Sequence, residues 1–181
     1  MKTPSERLIK AISLSSVLHR NHTRHDDDNT PYVSHLYSVA TYIMSVTGDE
    51  DIIIAGLMHD SLEDIPEYYY DDLLNDCGEN VAKLVAQVTE DHKLPYKEKK
   101  ELYLEQIRNG DHRVLAISIA DKIHNASTYN TLHEHKKHVG HSYMYNEIYK
   151  IAKDKIKNNA EYKYLEPLLI KLEEMISILI S

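Results

Sequence analysis

Phenylalanine and tryptophan are absent from this 181-residue chain, and it carries fourteen tyrosines. A core must therefore be filled by aliphatic side chains together with tyrosine. Glycine and proline are scarce, five of each. So few chain-breakers exclude a loop-rich all-β fold, in which turns recur about every ten residues. There is one cysteine, Cys77. It cannot form an internal disulfide, so a reducing compartment is expected. No run of about 18 apolar residues signals a membrane span. The opening MKTPSERLIK lacks the apolar stretch of a signal peptide, so the expected location is the cytoplasm. Basic residues are also in deficit, 21 Lys and Arg against 29 Asp and Glu, for a net charge of −8. That excludes a nucleic-acid-coating role, which needs a basic face. It leaves room for a small phosphorylated ligand, because a bound metal supplies local positive charge.

What is present is helical periodicity, in a chain whose 42% apolar content excludes disorder. Thr3 is expected to cap a first helix, with Pro4 at its first position and Glu6 completing a capping box. That helix runs to about Leu18. HRNHTRHDDDNTP reads as a loop. Further helices are expected over about 33–46 and from Asp51 to the stop at Pro66. Two short ones are split by Gly78, and others cover KLPYKEKKELYLEQIRNG and DHRVLAISIADKIHNAS. Residues 131–140 read as a connection. Two last helices span about 141–158 and 160–180, the second perturbed at Pro167. LAISIA has the residue types of a strand, but its flanks and length favour a buried helix. The expected fold is all-α, one domain of about eight to ten helices over 1–181, with the C-terminal part from about 141 packing on the rest. The final helix repeats Leu165, Leu168, Leu169, Leu172, Met175, Ile176 and Leu179. That is a core face, or alternatively a homodimer seam. Cys77 is expected to pack beside Leu74 as a small apolar residue.

GLMHDSLEDI, residues 56–65, is an apolar run that turns acidic. On one helix Asp60, Glu63 and Asp64 would lie about 100°, 40° and 140° from His59, all on one half of the surface. Three carboxylates there repel each other, and the stretch has no Lys or Arg. A divalent cation would compensate, since it accepts carboxylate and imidazole alike. The plainer reading is a solvated helix end. His35 stands in an apolar stripe of Val33, Leu36, Val39, Ala40 and Ile43, where a satisfied core histidine is the plain alternative. Asp121 follows seven uncharged residues, and an unpaired Asp is costly to bury. Its plain alternative is a partner for Lys122. Taken together, His35, His59, Asp60 and Asp121 are four candidate ligands for one site. Two nitrogens and two oxygens suit a six-coordinate Mn, Fe or similar ion with open positions, and not a closed structural zinc site.

The order His, His-Asp, Asp resembles the metal signature of the HD phosphohydrolase superfamily. More closely, HRNHTRHDDDNTPYVSHLYSVA, AGLMHDSLEDI, VAKLVAQVTE and SIADKIHNAST resemble, in order and spacing, the hydrolase domain of the RelA/SpoT alarmone enzymes. The size matches their small stand-alone forms, including the metazoan SpoT-like ones. The resemblance covers residues 5–130 well and the remainder loosely. It implies a single HD domain with His35, His59, Asp60 and Asp121 as ligands of one divalent ion, usually manganese, with Fe, Co or Zn as alternatives. It also implies that Glu63 and Asp64 position and activate water, that Arg24 contacts a base, and that Asn125 and Thr128 line a nucleoside pocket, with Tyr145 a looser match. The family usually has Arg-Lys where this chain has Arg24-His25, so an imidazole would stack where a lysine stem normally packs.

The reaction implied is metal-dependent hydrolysis of the 3′-pyrophosphate of guanosine tetra- or pentaphosphate, giving GDP or GTP and pyrophosphate. A ribose phosphate of another nucleotide, such as NADPH, would present the same group to the same metal. A non-catalytic nucleotide sensor or antitoxin is the rival from another class, and an intact Glu63-Asp64 pair weighs against it. The TPY run and the Arg24 loop weigh against a general 5′-nucleotidase. Arg24, Lys122, Lys136 and Lys137 are candidate cations for an anionic ligand, the last two alternatively a solvated loop. His133, His135, His138 and His141 read as a polar loop in preference to a second metal site.

Overall fold

The computed structural model describes residues 3–26, 28–129 and 139–180. Ten α-helices are found among them: α1 Glu6–Leu18, α2 Val33–Met44, α3 Glu50–Met58, α4 Ser61–Asp64, α5 Tyr70–Cys77, α6 Glu79–Val88, α7 Tyr96–Asn109, α8 His112–Ser127, α9 Val139–Asn158 and α10 Glu166–Ile180. A 3₁₀ segment, Ala160–Leu165, leads into α10. No strand occurs among the described residues, only an isolated bridge between Thr23 and Pro31. The connection expected around 131–140, with Lys136, Lys137, His133, His135 and His138, lies largely outside the described residues, as does the side chain of His141.

α8 is the central element. Asp111 caps it by accepting the N–H groups of Arg113 and Val114. Every residue from Val114 to Asp121 is buried, so the LAISIA run is a helix buried all round rather than a strand. α2, α3, α6 and α10 pack against it, and α9 closes on α8 and α10. Leu165, Leu168, Leu172 and Ile176 are buried, with Leu169, Met175 and Leu179 packed at the edge of the core. That repeat is therefore a core face. Gly56 allows α3 to sit close against α2, because a Cβ there would meet Ile43 Cδ1 at 2.6 Å. Gly78 turns the chain from α5 to α6 with φ +88°, which favours glycine.

Two expectations need correction. The first helix is capped by Ser5, whose hydroxyl accepts from the Leu8 N–H at 3.0 Å, and it begins at Glu6. Thr3 and Pro4 lie ahead of it. The third helix does not run unbroken to Pro66; it stops at Met58 and restarts at Ser61. The core is aliphatic with tyrosine, as expected: Tyr68, Tyr103, Tyr145 and Tyr162 are buried in it, while the other ten tyrosines, whose hydroxyls need a polar partner, sit nearer the rim.

Candidate active site

The interruption at His59–Asp60 shapes the site. α3 delivers a fully buried aliphatic body, Ile52 to Met58, and the chain turns polar where it leaves the helix. His59 Nδ1 faces the Gly56 carbonyl at 2.9 Å. A proton on that nitrogen leaves the Nε2 lone pair free to point the other way. His35, on α2, meets it there, with 3.2 Å between the two Nε2 atoms. Asp60 Oδ2 lies 3.2 Å from His59 Nε2 and 3.5 Å from His35 Nε2. Asp121 Oδ1, from α8, lies 3.3 Å from His35 Nε2 and 3.8 Å from His59 Nε2. Ligands held at about 2.1 Å from one ion, at right angles, stand about 3 Å apart. The donors of His35, His59 and Asp121 all lie within 4.8 Å of one another, and with Asp60 beside both imidazoles the set fits a divalent ion.

Electrostatics agrees with that fit. Burial opposes the charge on Asp121, but Lys122 and the imidazoles outweigh it and hold the carboxyl well below its ordinary range. Loss of water likewise opposes the charge on half-buried Asp60, but His59 and His35 outweigh it and lower its carboxyl. Burial resists protonation of His59, but the Asp60 charge and the Asp121 hydrogen bond outweigh it and push the imidazole up to about 9. His35 is lowered, chiefly by burial. The cluster is a buried concentration of negative charge that draws positive charge inward. Surrounding groups fix its members. Lys122 Nζ and Asn125 Nδ2 both donate to Asp121, each at 2.5 Å. Tyr32 donates to Asp60 Oδ2 at 2.6 Å. His35 Nδ1 faces His124 Nδ1 at 2.7 Å. Burial, then His35, lowers His124 to about 4, so it is neutral and suited to accept that proton.

Glu63 and Asp64 both feel the Asp60 charge but have different partners. Glu63 Oε1 accepts the Glu90 N–H at 2.5 Å, and Oε2 faces His92 Nε2 at 3.1 Å. Burial, reinforced by the Asp60 charge, raises its carboxyl to about 7. Asp64 turns toward Tyr32, His19 and His22, and the same two causes raise it to about 6. A cavity of about 600 Å³ opens beside them, bounded by Arg24, His25, Asp64, Lys100, Lys122 and Tyr145 among others. That is within the range of small-molecule sites, roughly 300–1,000 Å³. Lys122 and Asn125 line this cavity and also hold Asp121, so the His–Asp cluster lies directly behind its wall.

The α1–α2 loop is built to present Arg24. Its backbone N–H donates to the Thr30 carbonyl, and Tyr32 N–H donates to the His22 carbonyl. Arg24 Nη2 then donates to Asn125 Oδ1 at 3.0 Å and to Thr128 Oγ1 at 3.1 Å. His35, His59, Asp60 and Asp121 thus converge, and Arg24, His25, Asp64, Lys122, Asn125 and Tyr145 line the adjoining cavity. Tyr32, His19, His22, His92, Lys100 and His124 were not assigned roles from sequence, and all stand at the site. Tyr32 and His124 sit inside the motif runs TPY and ADKIHN. Lys100 lies on an ordinary charged helix with no local signal.

The chain belongs to the HD-domain family, whose model matches residues 11–151. Such a domain implies a divalent metal, and the His–Asp cluster offers a site for it. Within the family, the chain is similar to guanosine-3′,5′-bis(diphosphate) 3′-pyrophosphohydrolase MESH1 of Drosophila melanogaster, 34% identical over 125 residues covering 67% of this chain and 69% of that one. MESH1 of Homo sapiens is 32% identical over 132 residues, covering 72% and 73%. A solved structure of a metazoan ortholog of SpoT, described as hydrolysing ppGpp, aligns at a TM-score of 0.80 with 25% identity, over 98% of this chain and 97% of that one.

Proposed function

We propose that this protein hydrolyses the 3′-pyrophosphate of guanosine tetra- or pentaphosphate, giving GDP or GTP and pyrophosphate. The observation that carries the reading is the meeting of three buried donors, from His35, His59 and Asp121, with half-buried Asp60 beside them, behind a cavity edged by Arg24, Lys100 and Lys122. The named activity of the MESH1 relatives supports the choice of substrate.

Those four residues would hold the ion, manganese in our reading. When bound, such an ion lowers the pKa of water and polarises a phosphoryl oxygen. Glu63, with its carboxyl raised to about 7, exchanges protons readily near neutral pH. It takes a proton from the attacking water as the water oxygen bonds to phosphorus and the 3′-oxygen–phosphorus bond breaks. Glu63 then passes that proton to the departing ribose 3′-oxygen, with Asp64 orienting water on the cavity side. Lys122 and Lys100 offset negative charge on the phosphates. Arg24, held by Asn125 and Thr128, faces the base, with Tyr145 and His25 on the same wall.

Purified protein supplied with Mn²⁺ should release pyrophosphate and GDP from guanosine tetraphosphate, and leave NADPH and nucleoside monophosphates intact. Phosphate release from NADPH without turnover of the tetraphosphate would transfer the reading to another ribose phosphate. Saturable tetraphosphate binding with no product would make the protein a sensor.

A further inference from the structure

A second group of potential ligands stands beside the His–Asp cluster, on the wall of the same cavity. One ring nitrogen of His19, one of His22 and a carboxylate oxygen of Asp64 all lie within 4.8 Å of one another. His19 is only 2% exposed, yet neither of its ring nitrogens has a hydrogen-bond partner among the described residues. A neutral imidazole carries one N–H and one lone pair, and burying either unmet costs on the order of 1–3 kcal/mol. Packing accounts for the ring, which stacks on Tyr32 at 5.3 Å and 14° and meets His22 edge-on at 5.4 Å. It does not account for the nitrogens.

We propose that His19, His22 and Asp64 form a second binding site, for a divalent transition-metal ion, separate from the one that His35, His59, Asp60 and Asp121 make. The donor set of two imidazoles and one carboxylate suits first-row divalent ions. Three protein ligands leave further positions for water or substrate, as in catalytic rather than structural sites. His22 and Asp64 both line the cavity, so those positions face it. Tyr32 joins the two sites: its hydroxyl holds Asp60 and its ring holds His19. A cation there would add positive charge where a polyphosphate lies, and one Asp64 oxygen would remain free to orient water. That role rests on the function proposed above; the existence of the site does not.

Equilibrium dialysis of the full chain against Mn²⁺ tests the site directly. Manganese is the weakest binder of the divalent series, so loose surface imidazoles hold little of it. The unmodified chain should bind one equivalent more than His22→Gln, in which half-buried glutamine keeps hydrogen-bonding capacity. Asp121→Asn, lesioned in the first centre, should lose its own equivalent and keep the second, and combining the two substitutions should remove both. Asp64→Asn serves as the second reporter if His22→Gln fails to fold. Equal stoichiometry in the unmodified chain and His22→Gln overturns the proposal. So does loss of both ions in folded His22→Gln, since His22 would then belong to the first centre. Failure of the guanosine tetraphosphate assay would leave this count unchanged.

Discussion

Along α8, Val114 to Ala120 lie among α3, α6, α10 and their neighbours, aliphatic except for Ser118, whose hydroxyl meets Tyr103 at 3.3 Å. The next turns bring Asp121, Lys122, His124 and Asn125 into the junction with α2 and the His59–Asp64 segment. Both stretches are largely covered, but by different means. Burial of the apolar half stabilises the fold by roughly 25 cal/mol per Å² removed from water. In the polar half each charge is tolerated only because a partner answers it: Asp121 is bonded by Lys122 and Asn125 and faces both imidazoles. Apolar groups of similar volume would often be no less stable there. The difference implies that the first half can be damaged in stability without loss of chemistry, and the second in chemistry without loss of stability.

The largest expected effect comes from Glu63→Gln. Removing a positioned general acid–base should lower kcat about 10²–10⁴-fold with little change in KM. The same substitution should stabilise the metal-free protein. A carboxyl raised from 4.5 to about 7 means the folded state binds the proton more tightly than the unfolded chain. Stability from that proton is fully present below about 4.5 and is lost as pH rises through 7. Glutamine carries no such penalty, so in chelator at pH 8 the variant should gain up to about 3 kcal/mol in urea denaturation, with the gain fading by pH 4.5. A gain that is equal at both pH values would show that burial of the carboxylate is not its cause.

Ile117→Ala makes the opposite lesion. Ile117 is fully buried in the apolar half. Truncation should cost about 2–5 kcal/mol, read from the denaturation midpoint, and leave kcat near the original value wherever the protein stays folded. A large fall in kcat at full folding would break the contrast between the halves.

The ligands are legible in the sequence because each is a misfit in its surroundings: Asp121 after seven uncharged residues, His35 within an apolar stripe, three carboxylates with no nearby cation. The helices are legible from periodicity. Less legible is what a one-dimensional wheel assumes away. Treating residues 59–64 as one helix misses the break at His59–Asp60 and the partners met there, Glu90 and His92 for Glu63, and His19, His22 and Tyr32 for Asp64. Lys100 and His92 reach the site through tertiary packing of α7 and the segment before it, which no local pattern encodes. The loop from 19 to 32 shows as aperiodic, but the backbone hydrogen bonds that aim Arg24 do not.

His124→Ala tests how far the polar half depends on its outer partners. His124 touches neither carboxylate of the cluster in the hydrogen bonds described, and acts through His35 Nδ1. Losing a partner that orients a ligating imidazole typically weakens metal binding about 10–100-fold. Dialysis against Mn²⁺ should show that loss with a denaturation midpoint close to the original. Unchanged affinity would mean that packing on His59 and Asp60 alone orients His35.

The smallest effect, and a control on the comparison, is Ser5→Ala. Ser5 caps α1 at the end far from the site, while His19 caps it at the other. Losing the side-chain bond to the Leu8 N–H should cost about 1 kcal/mol. If α1 acts as a rigid support, the loss is confined to its first turn: the denaturation midpoint falls slightly, and metal stoichiometry and kcat stay constant. A parallel fall in metal binding would mean that fraying at Glu6 propagates along thirteen residues to His19. The polar junction would then rest on the stability of α1 as well as on its own bonds, and the division between scaffold and chemistry would run through α1 rather than across α8.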